Sequence, residues 1–116
     1  MDTNVIRSEL IGADIALLSV CGEVDMSNFV ELEEAITHWS EKNICSCIFD
    51  WQDARYVSSL VVGLVIRCLE RAESCNGRLA FVHSEPVDRV FDLLGLRERI
   101  PSFSVIDDAV NYVRNS

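Results

Sequence analysis

The chain has 116 residues, enough for one domain with a single core over residues 1–116. Hydrophobic residues make up 49% of the sequence, which excludes disorder in the body of the chain. The formal net charge of -9 gives an acidic surface that repels phosphate backbones and anionic lipid headgroups. We therefore expect neither direct nucleic-acid binding nor membrane binding, whereas a basic protein partner fits this charge.

The sequence carries no signal for export or membrane insertion. No apolar run approaches the roughly 20 residues of a membrane-spanning helix, and the first residues do not resemble a secretory signal. The number of cysteines, five, is odd. We expect a cytoplasmic protein in which all of them are reduced thiols: Cys21, Cys45, Cys47, Cys68 and Cys75.

The first part of the chain predicts a β-hairpin and a helix. A weak strand over residues 4–10 and a stronger strand over 15–20 flank a turn, and residues 22–25 are typical of a tight polar loop. Asp25 or Ser27 is expected to cap a helix that extends to Trp39 or Ser40. The inner stripe of that helix is Phe29, Leu32, Ile36 and Trp39.

The stretch from Cys45 to Gly77 organises the rest of the chain. Residues 45–49 predict an apolar strand that stops at Asp50, and a polar loop follows. At Ser58 the apolar residues return with helical spacing, and Asn76 with Gly77 ends the helix. The predicted inner stripe of this helix is Leu60, Leu64, Cys68 and Ala72, with Val61, Val65 and Leu69 beside it.

The last third predicts a strand over residues 78–83, a short helix from Ser84 to Gly95, a loop or edge strand over 101–105 and a closing helix from Asp107 or Asp108. The short helix is expected to bury Val87, Val90, Phe91 and Leu94. The order of elements predicts an α/β fold with a central mixed, mostly parallel sheet of four or five strands and about four helices. The first strand is expected to be antiparallel.

The sequence offers little for catalysis or metal binding. The serine pair Ser58–Ser59 lacks the flanking glycines of a hydrolase elbow, and neither His38 nor His83 stands in a motif. Cys45 and Cys47 have no second pair at a zinc-binding spacing, and the helix start lacks the glycines of a phosphate-binding loop. We therefore predict no catalytic residue, no metal and no cofactor.

Ser58 and Ser59 allow two interpretations. In the first, a serine caps the helix, because its side chain accepts a hydrogen bond from an orphan backbone N–H. In the second, a serine is a phosphorylation site, because the helix dipole and the free N–H groups favour a dianion, and a partner packed there would be expelled. Trp51 also has two interpretations, since it either packs into the core or anchors a partner.

Several motifs, taken in their order and spacing, resemble those of the STAS domain, the fold of bacterial anti-sigma factor antagonists. The turn Gly22-Glu23-Val24-Asp25, the strand end Ile48-Phe49-Asp50 and the Asn76-Gly77 step before a strand match the family pattern. Residues 90–96 and the helix start Asp107-Asp108-Ala109 match it as well. The likeness covers nearly the whole chain.

The resemblance implies a phosphorylation site. In the family this helix begins Asp-Ser-Ser/Thr-Gly-Leu-Gly, and a partner kinase phosphorylates the serine after the aspartate. An ungapped alignment places that serine on Ser59, with Ser58 as the second choice, and the last glycine on Gly63. The chain departs from the motif because Ser58 replaces the acid, Leu60 replaces the second Ser/Thr and Val61 replaces the first glycine.

The resemblance also implies a non-enzymatic switch that binds a serine kinase, itself an anti-sigma factor, and frees the sigma factor while Ser59 is unmodified. The alternative is an unphosphorylated STAS subunit that binds an ABC-transporter ATPase in lipid trafficking, or another signalling complex. A homodimer is left open. Residues 53–57 are expected to form an interface loop, and the expected partner-binding residues are Asp25, Trp51, Asp53, Tyr56, Val57, Ser58, Ser59, Val62 and Gly63.

Overall fold

The computed structural model describes residues 5–26 and 28–115, which contain five strands and four helices. In chain order these are β1 (Val5–Ile11), β2 (Ile15–Val24), α1 (Phe29–Glu41), β3 (Ser46–Val57), α2 (Ser59–Ser74), β4 (Leu79–Val82), α3 (Glu85–Leu93), β5 (Ser102–Phe103) and α4 (Ile106–Arg114). No helix in the described part of the chain is long and apolar enough to cross a membrane.

The strands form one sheet in the order β1-β2-β3-β4-β5. β1 pairs antiparallel with β2, and the other neighbours are parallel. The predicted fold class is therefore confirmed, including the antiparallel first strand. The edge strand predicted within residues 101–105 is β5, and α4 begins at Ile106, with Asp107 and Asp108 in its first turn.

Helices cover both faces of the sheet. α1, α2 and α3 pack on one face over a core in which the rings of Phe49 and Trp51 stack, with centroids 5.2 Å apart, and Phe81 meets Phe91 edge-on. α4 packs on the other face through Ala109 and its neighbours. α1 follows β2 and α2 follows β3. Because these strands are parallel neighbours, both helices begin at the same end of the sheet, next to the carboxyl ends of the strands.

β2 and β3 both continue past their predicted ends. The loops predicted for residues 22–25 and after Asp50 are wrong, since β2 reaches Val24 and β3 reaches Val57. The register between these strands shifts twice, and each shift adds one residue to β3, as a β-bulge does. The buried positions of β3 therefore fall three apart, at Trp51, Ala54 and Val57, and the alternation expected of a strand is lost.

The connection from β2 to α1 is built around Asn28. Its Oδ1 accepts a hydrogen bond from the Asp25 N–H at 2.9 Å, and its side-chain amide donates to the Glu23 carbonyl at 3.0 Å. Asn28 is also the residue at the N-cap of α1. The prediction that Asp25 caps this helix is therefore wrong, because the helix starts at Phe29, and Ser27 lies outside the described residues.

Cys45 and Cys75 are joined by a disulfide, so the prediction that all five cysteines are free thiols is wrong for this pair. Their Cα atoms are 6.0 Å apart, within the usual range for a disulfide. Cys45 immediately precedes β3 and Cys75 immediately follows α2. The bond therefore ties the beginning of a central strand to the end of the helix that follows it.

Other contacts hold the same end of the sheet. Arg71 in α2 donates from Nη2 to the carbonyl of Ser40 in α1 at 2.8 Å. Arg78 donates to the Tyr112 carbonyl at 3.1 Å, and its guanidinium lies 4.8 Å from the centroid of the Tyr112 ring. A Cβ atom at Gly77 would overlap the Cys45 carbonyl oxygen, so glycine allows the two segments to approach closely. The amino ends of the central strands are thus tied to α1, α2 and α4.

The turn after α2 differs in one detail from its prediction. Asn76, rather than Gly77, adopts the left-handed conformation, with φ of 62°. Gly95, with φ of 72°, turns the chain after α3 as expected.

Two apolar residues that were predicted to be buried are exposed. Leu60 is 45% exposed because α2 meets the core through Val61, Leu64 and Val65, which leaves Leu60 beside that stripe. Leu94 is 51% exposed because it follows the last residue of α3 as the C-cap.

Candidate protein-binding site at the start of α2

Ser58 is the N-cap of α2. Its backbone is extended, with φ of -80° and ψ of 168°, and its Oγ accepts a hydrogen bond from the Val61 N–H at 3.5 Å. Its carbonyl accepts the Val62 N–H at 3.1 Å, which starts the helical hydrogen-bond pattern. The Ser58 hydroxyl is therefore engaged in the capping role that this position favours.

Ser59 is the first residue of α2, and its side chain is exposed. The first turn of α2 contains no acidic residue, so no carboxylate of the helix itself balances the positive end of its dipole. Gly63 lies one turn further on and is also exposed, and a Cβ atom there would meet no other atom within 4 Å. Ser59 thus stands on an open surface at the electropositive end of a helix.

Exposed apolar side chains occupy the same end of the sheet. Met26 in the β2–α1 connection is 74% exposed, and Val30 in the first turn of α1 is 54% exposed. Tyr56 near the end of β3 is 53% exposed, and Leu60 follows Ser59 in α2. We name this region the helix-start surface and define it by Met26, Val30, Tyr56, Ser59, Leu60 and Gly63.

Sequence reasoning predicted some of the residues that the structure shows to be exposed here. It named Tyr56, Ser59 and Gly63 but missed Met26 and Val30. The available signal for Val30 was its position off the apolar stripe of α1, since an apolar residue off that stripe points to solvent. Met26 stands among polar residues in a connection and gave no periodic signal.

Two predicted partner-binding residues are buried. Trp51 is 0% exposed and Val57 is 5% exposed, so neither side chain is accessible to a partner of the folded domain. Val62 is half-buried and packs against the core. Of the two interpretations of Trp51, the structure supports the core residue.

Two predicted acidic contacts lie in different places. Asp25 is exposed in the connection that carries Met26. Asp53 is a strand residue that lines an open groove of about 280 Å³ together with Arg7 and Asp50. This groove lies on the sheet face away from α1 and α2, so Asp53 is separated from the helix-start surface. The predicted interface loop over residues 53–57 is part of β3 instead.

Comparison with known families decides which family this fold represents. The sequence model of the STAS domain matches residues 10–109. The chain belongs to the STAS domain family. A comparison with curated proteins finds no match.

Solved structures share the fold of this STAS domain over nearly its full length. An anti-sigma factor antagonist from Mycobacterium paratuberculosis is 23% identical with a TM-score of 0.83, and the match covers 96% of this chain and 94% of that one. The unphosphorylated anti-sigma factor antagonist SpoIIAA is 20% identical with a TM-score of 0.83, covering 97% and 98% of the two chains. The phosphorylated form of SpoIIAA, a Bacillus cell fate determinant, is 20% identical with a TM-score of 0.79, covering 95% and 100%.

A histidine, an aspartate and a serine of the STAS domain meet at the carboxyl end of β4, but they do not form a catalytic triad. Nδ1 of His83 lies 2.5 Å from a carboxylate oxygen of Asp88, and Ser102 donates to the same carboxylate at 3.0 Å. A nucleophilic serine must contact the histidine that activates it, whereas here both residues bind the aspartate. Because Asp88 is buried, this cluster fastens α3 to β4 and β5.

Two free thiols of this STAS domain, Cys47 and Cys68, are poorly suited to nucleophilic chemistry. Burial raises the pKa of Cys68 to about 12 and raises the pKa of Cys47 well above its usual range. The thiolate, which is the nucleophile, is therefore scarce at neutral pH. Among the described residues, no three potential metal-ligating side chains are grouped so that they could hold a metal ion.

Proposed function

We propose that this STAS domain is a non-enzymatic regulator that binds a serine kinase acting as an anti-sigma factor, and that phosphorylation of Ser59 ends the binding. The observation that carries the proposal is the position of Ser59, which is exposed at the first residue of α2, at the end of the sheet where exposed apolar side chains are found. The family resemblance supports it, because Ser59 aligns with the serine that the partner kinase phosphorylates.

The helix start suits a phosphate without a change of fold. A phosphoserine carries a charge of about -2 at neutral pH and presents three acceptor oxygens. At Ser59 those oxygens would meet the positive end of the α2 dipole, where the first turn holds no competing carboxylate. The hydroxyl that caps the helix belongs to Ser58, so modification of Ser59 leaves the cap intact.

The same phosphate would oppose a bound partner. Tyr56 and Leu60 offer apolar contact area on either side of Ser59 in the sequence. A partner that packs on the helix-start surface would have to desolvate the dianion, which is costly unless the partner supplies cations. The formal net charge of -9 indicates a partner with a basic rim around an apolar patch.

A second candidate function rests on Leu60. This residue is 45% exposed where the family motif has a hydroxyl side chain, and an exposed leucine favours a permanent apolar contact. In this alternative the domain is an unphosphorylated subunit of a stable complex, for example with an ABC-transporter ATPase. Ser58 and Ser59 would then serve only the helix start.

The phosphorylation itself can be tested by intact-protein mass spectrometry. The wild-type protein and the variants Ser59→Ala and Ser58→Ala are incubated with ATP and a lysate of the source organism. We expect one added phosphate on the wild type and on Ser58→Ala, and none on Ser59→Ala. A phosphate that persists in Ser59→Ala would contradict the assignment of the site.

The effect of an added charge on partner binding distinguishes the phosphorylation switch from the permanent subunit. The partner retained by the wild type is titrated against Ser59→Asp and, as a control, against Ser104→Asp, which adds the same charge at an exposed position before α4. Loss of binding in Ser59→Asp alone supports the switch. Equal binding by both variants supports the permanent complex.

A further inference from the structure

β1 is an edge strand with an open outer side. It pairs with β2 along all 7 of its residues, from Val5 opposite Cys21 to Ile11 opposite Ile15. Within the described ranges, β2 is its only neighbour in the sheet. In an antiparallel pair every second residue directs its N–H and C=O away from the neighbour, so the outer side presents free main-chain groups to another strand.

The sequence of β1 is self-complementary about Ser8. The strand reads Val-Ile-Arg-Ser-Glu-Leu-Ile. We propose that β1 is a homodimer interface in which two copies of the chain pair antiparallel about a two-fold axis at Ser8. That axis sets Val5 opposite Ile11, Ile6 opposite Leu10 and Arg7 opposite Glu9, so apolar residues meet apolar residues and each cation meets an anion.

The charges of β1 fit this pairing. Arg7 and Glu9 are both exposed and lie on the same face of the strand, two residues apart. Among the residues that the structure describes, neither Arg7 nor Glu9 has an ion-pair partner. In the dimer each Arg7 faces Glu9 of the second copy, which makes two equivalent cross-strand ion pairs.

The same charges disfavour other registers. A pairing shifted by two residues in one direction places Arg7 opposite Arg7 of the second copy. The opposite shift places Glu9 opposite Glu9. Like charges directly opposite each other destabilise a strand pair, and a one-residue shift would reverse the faces of the sheet. The register about Ser8 is therefore the one in which charges and faces both match.

The apolar residues of β1 complete the interface. Val5 is 37% exposed and Leu10 is 39% exposed, so the edge presents apolar side chains that a second strand can cover. In the dimer Leu10 would pack against Ile6 of the second copy on the face covered by α1. Val5 would pack against Ile11 on the other face. Neither proline nor glycine interrupts the strand.

The dimer would leave the helix-start surface of each copy free. β1 is the edge of the sheet, whereas the helix-start surface is built on β2, β3, α1 and α2. Two copies would form a continuous sheet of ten strands that displays two helix-start surfaces. This inference goes beyond the proposed function and does not depend on it, since Ser59 phosphorylation requires no dimer.

The test is a charge exchange followed by analytical ultracentrifugation over a wide range of concentrations. Wild type is compared with Arg7→Glu, Glu9→Arg and the double variant. We expect each single variant to weaken dimerisation by about tenfold or more, because two attractive pairs become two repulsive pairs. The double variant is expected to recover the wild-type dissociation constant, and an equal mixture of the single variants is expected to form a heterodimer.

Arg55→Glu is the matched control, since it makes the same charge change at an exposed position on β3. Circular dichroism on each variant verifies that the domain is folded. A wild-type protein that stays monomeric at all concentrations overturns the proposal, even if β1 accepts a strand of another protein. A dimer that both single variants retain unchanged overturns it as well, because the interface must then lie elsewhere.

Discussion

The two ends of the central strands are built in opposite ways. At the amino ends, a disulfide joins Cys45 to Cys75, Arg71 binds the Ser40 carbonyl, and Gly77 lies in close contact with Cys45. At the carboxyl ends of β2 and β3, apolar side chains are exposed. There α2 begins with a serine cap, in which the Val61 N–H donates to the Ser58 Oγ at 3.5 Å. The disulfide and the Arg71 hydrogen bond, which tie α2 to β3 and to α1, therefore lie at the end away from the helix-start surface.

The difference has a physical meaning for a binding domain. Exposed apolar residues favour contact with a partner, and a surface held by few fixed contacts can adapt to one without disturbing the core. Contacts at the far end hold α1 and α2 in register with the sheet without occupying the surface. Substitutions at the two ends are thus expected to separate stability from binding.

The largest effect is expected from the disulfide. Replacing Cys45 and Cys75 together by serine removes a link between residues 30 positions apart. The chain-entropy relation gives a loss of about 3 to 4 kcal/mol in the free energy of unfolding. Denaturant unfolding with and without reductant measures it, and Cys21→Ser is the control that changes a free thiol. Equal stability of the double variant and the wild type would show that the amino ends are held by other contacts.

A smaller effect is expected from a pair of glycine substitutions. Gly77→Ala places a methyl group against the Cys45 carbonyl and should cost about 1 to 3 kcal/mol. Gly63→Ala adds the same methyl group to the exposed side of α2, where no atom lies within 4 Å. The second variant should gain about 0.5 to 1 kcal/mol, because alanine favours a helix over glycine. Thermal unfolding of both variants measures the two changes in stability. A loss of the same size at both positions would contradict the prediction.

The smallest effect distinguishes the two serines. Ser58→Ala removes the cap of α2 and should cost about 1 kcal/mol. Ser59→Ala changes an exposed side chain and should stay within about 0.5 kcal/mol of the wild type. Urea unfolding of both variants gives the difference. If the two losses are equal, the hydroxyl of Ser59 also supports the helix start.

Local pattern was enough for the order of the elements and for the start of α2. The apolar stripe of α2 located its start, and the strand–helix alternation predicted the mostly parallel sheet. The end of β3 was missed because two bulges give its buried residues a spacing of three, which no strand pattern contains. The sequence did not decide which of the two serines, Ser58 or Ser59, caps α2. They are adjacent residues of the same type, and only the hydrogen bond from the Val61 N–H to Ser58 distinguishes them.

The composition of the helix-start surface was harder to predict because exposure depends on tertiary packing. Leu60 continues an apolar stripe in the sequence, yet the sheet contacts α2 slightly to one side of it. Trp51 looked equally suited to a partner and to the core, and its complete burial, stacked on Phe49, decides between them. The disulfide was missed because spacing along the chain gives no distance between Cys45 and Cys75 in space.

The disulfide also makes a closed ring of the chain from Cys45 to Cys75, which includes all of β3 and α2. Ser58 and Ser59 lie inside this ring. A protease that cuts one peptide bond within the ring opens it but leaves a single covalent molecule, whose two pieces separate only after reduction. The helix that carries the proposed switch therefore stays attached to the domain after one cut anywhere along it.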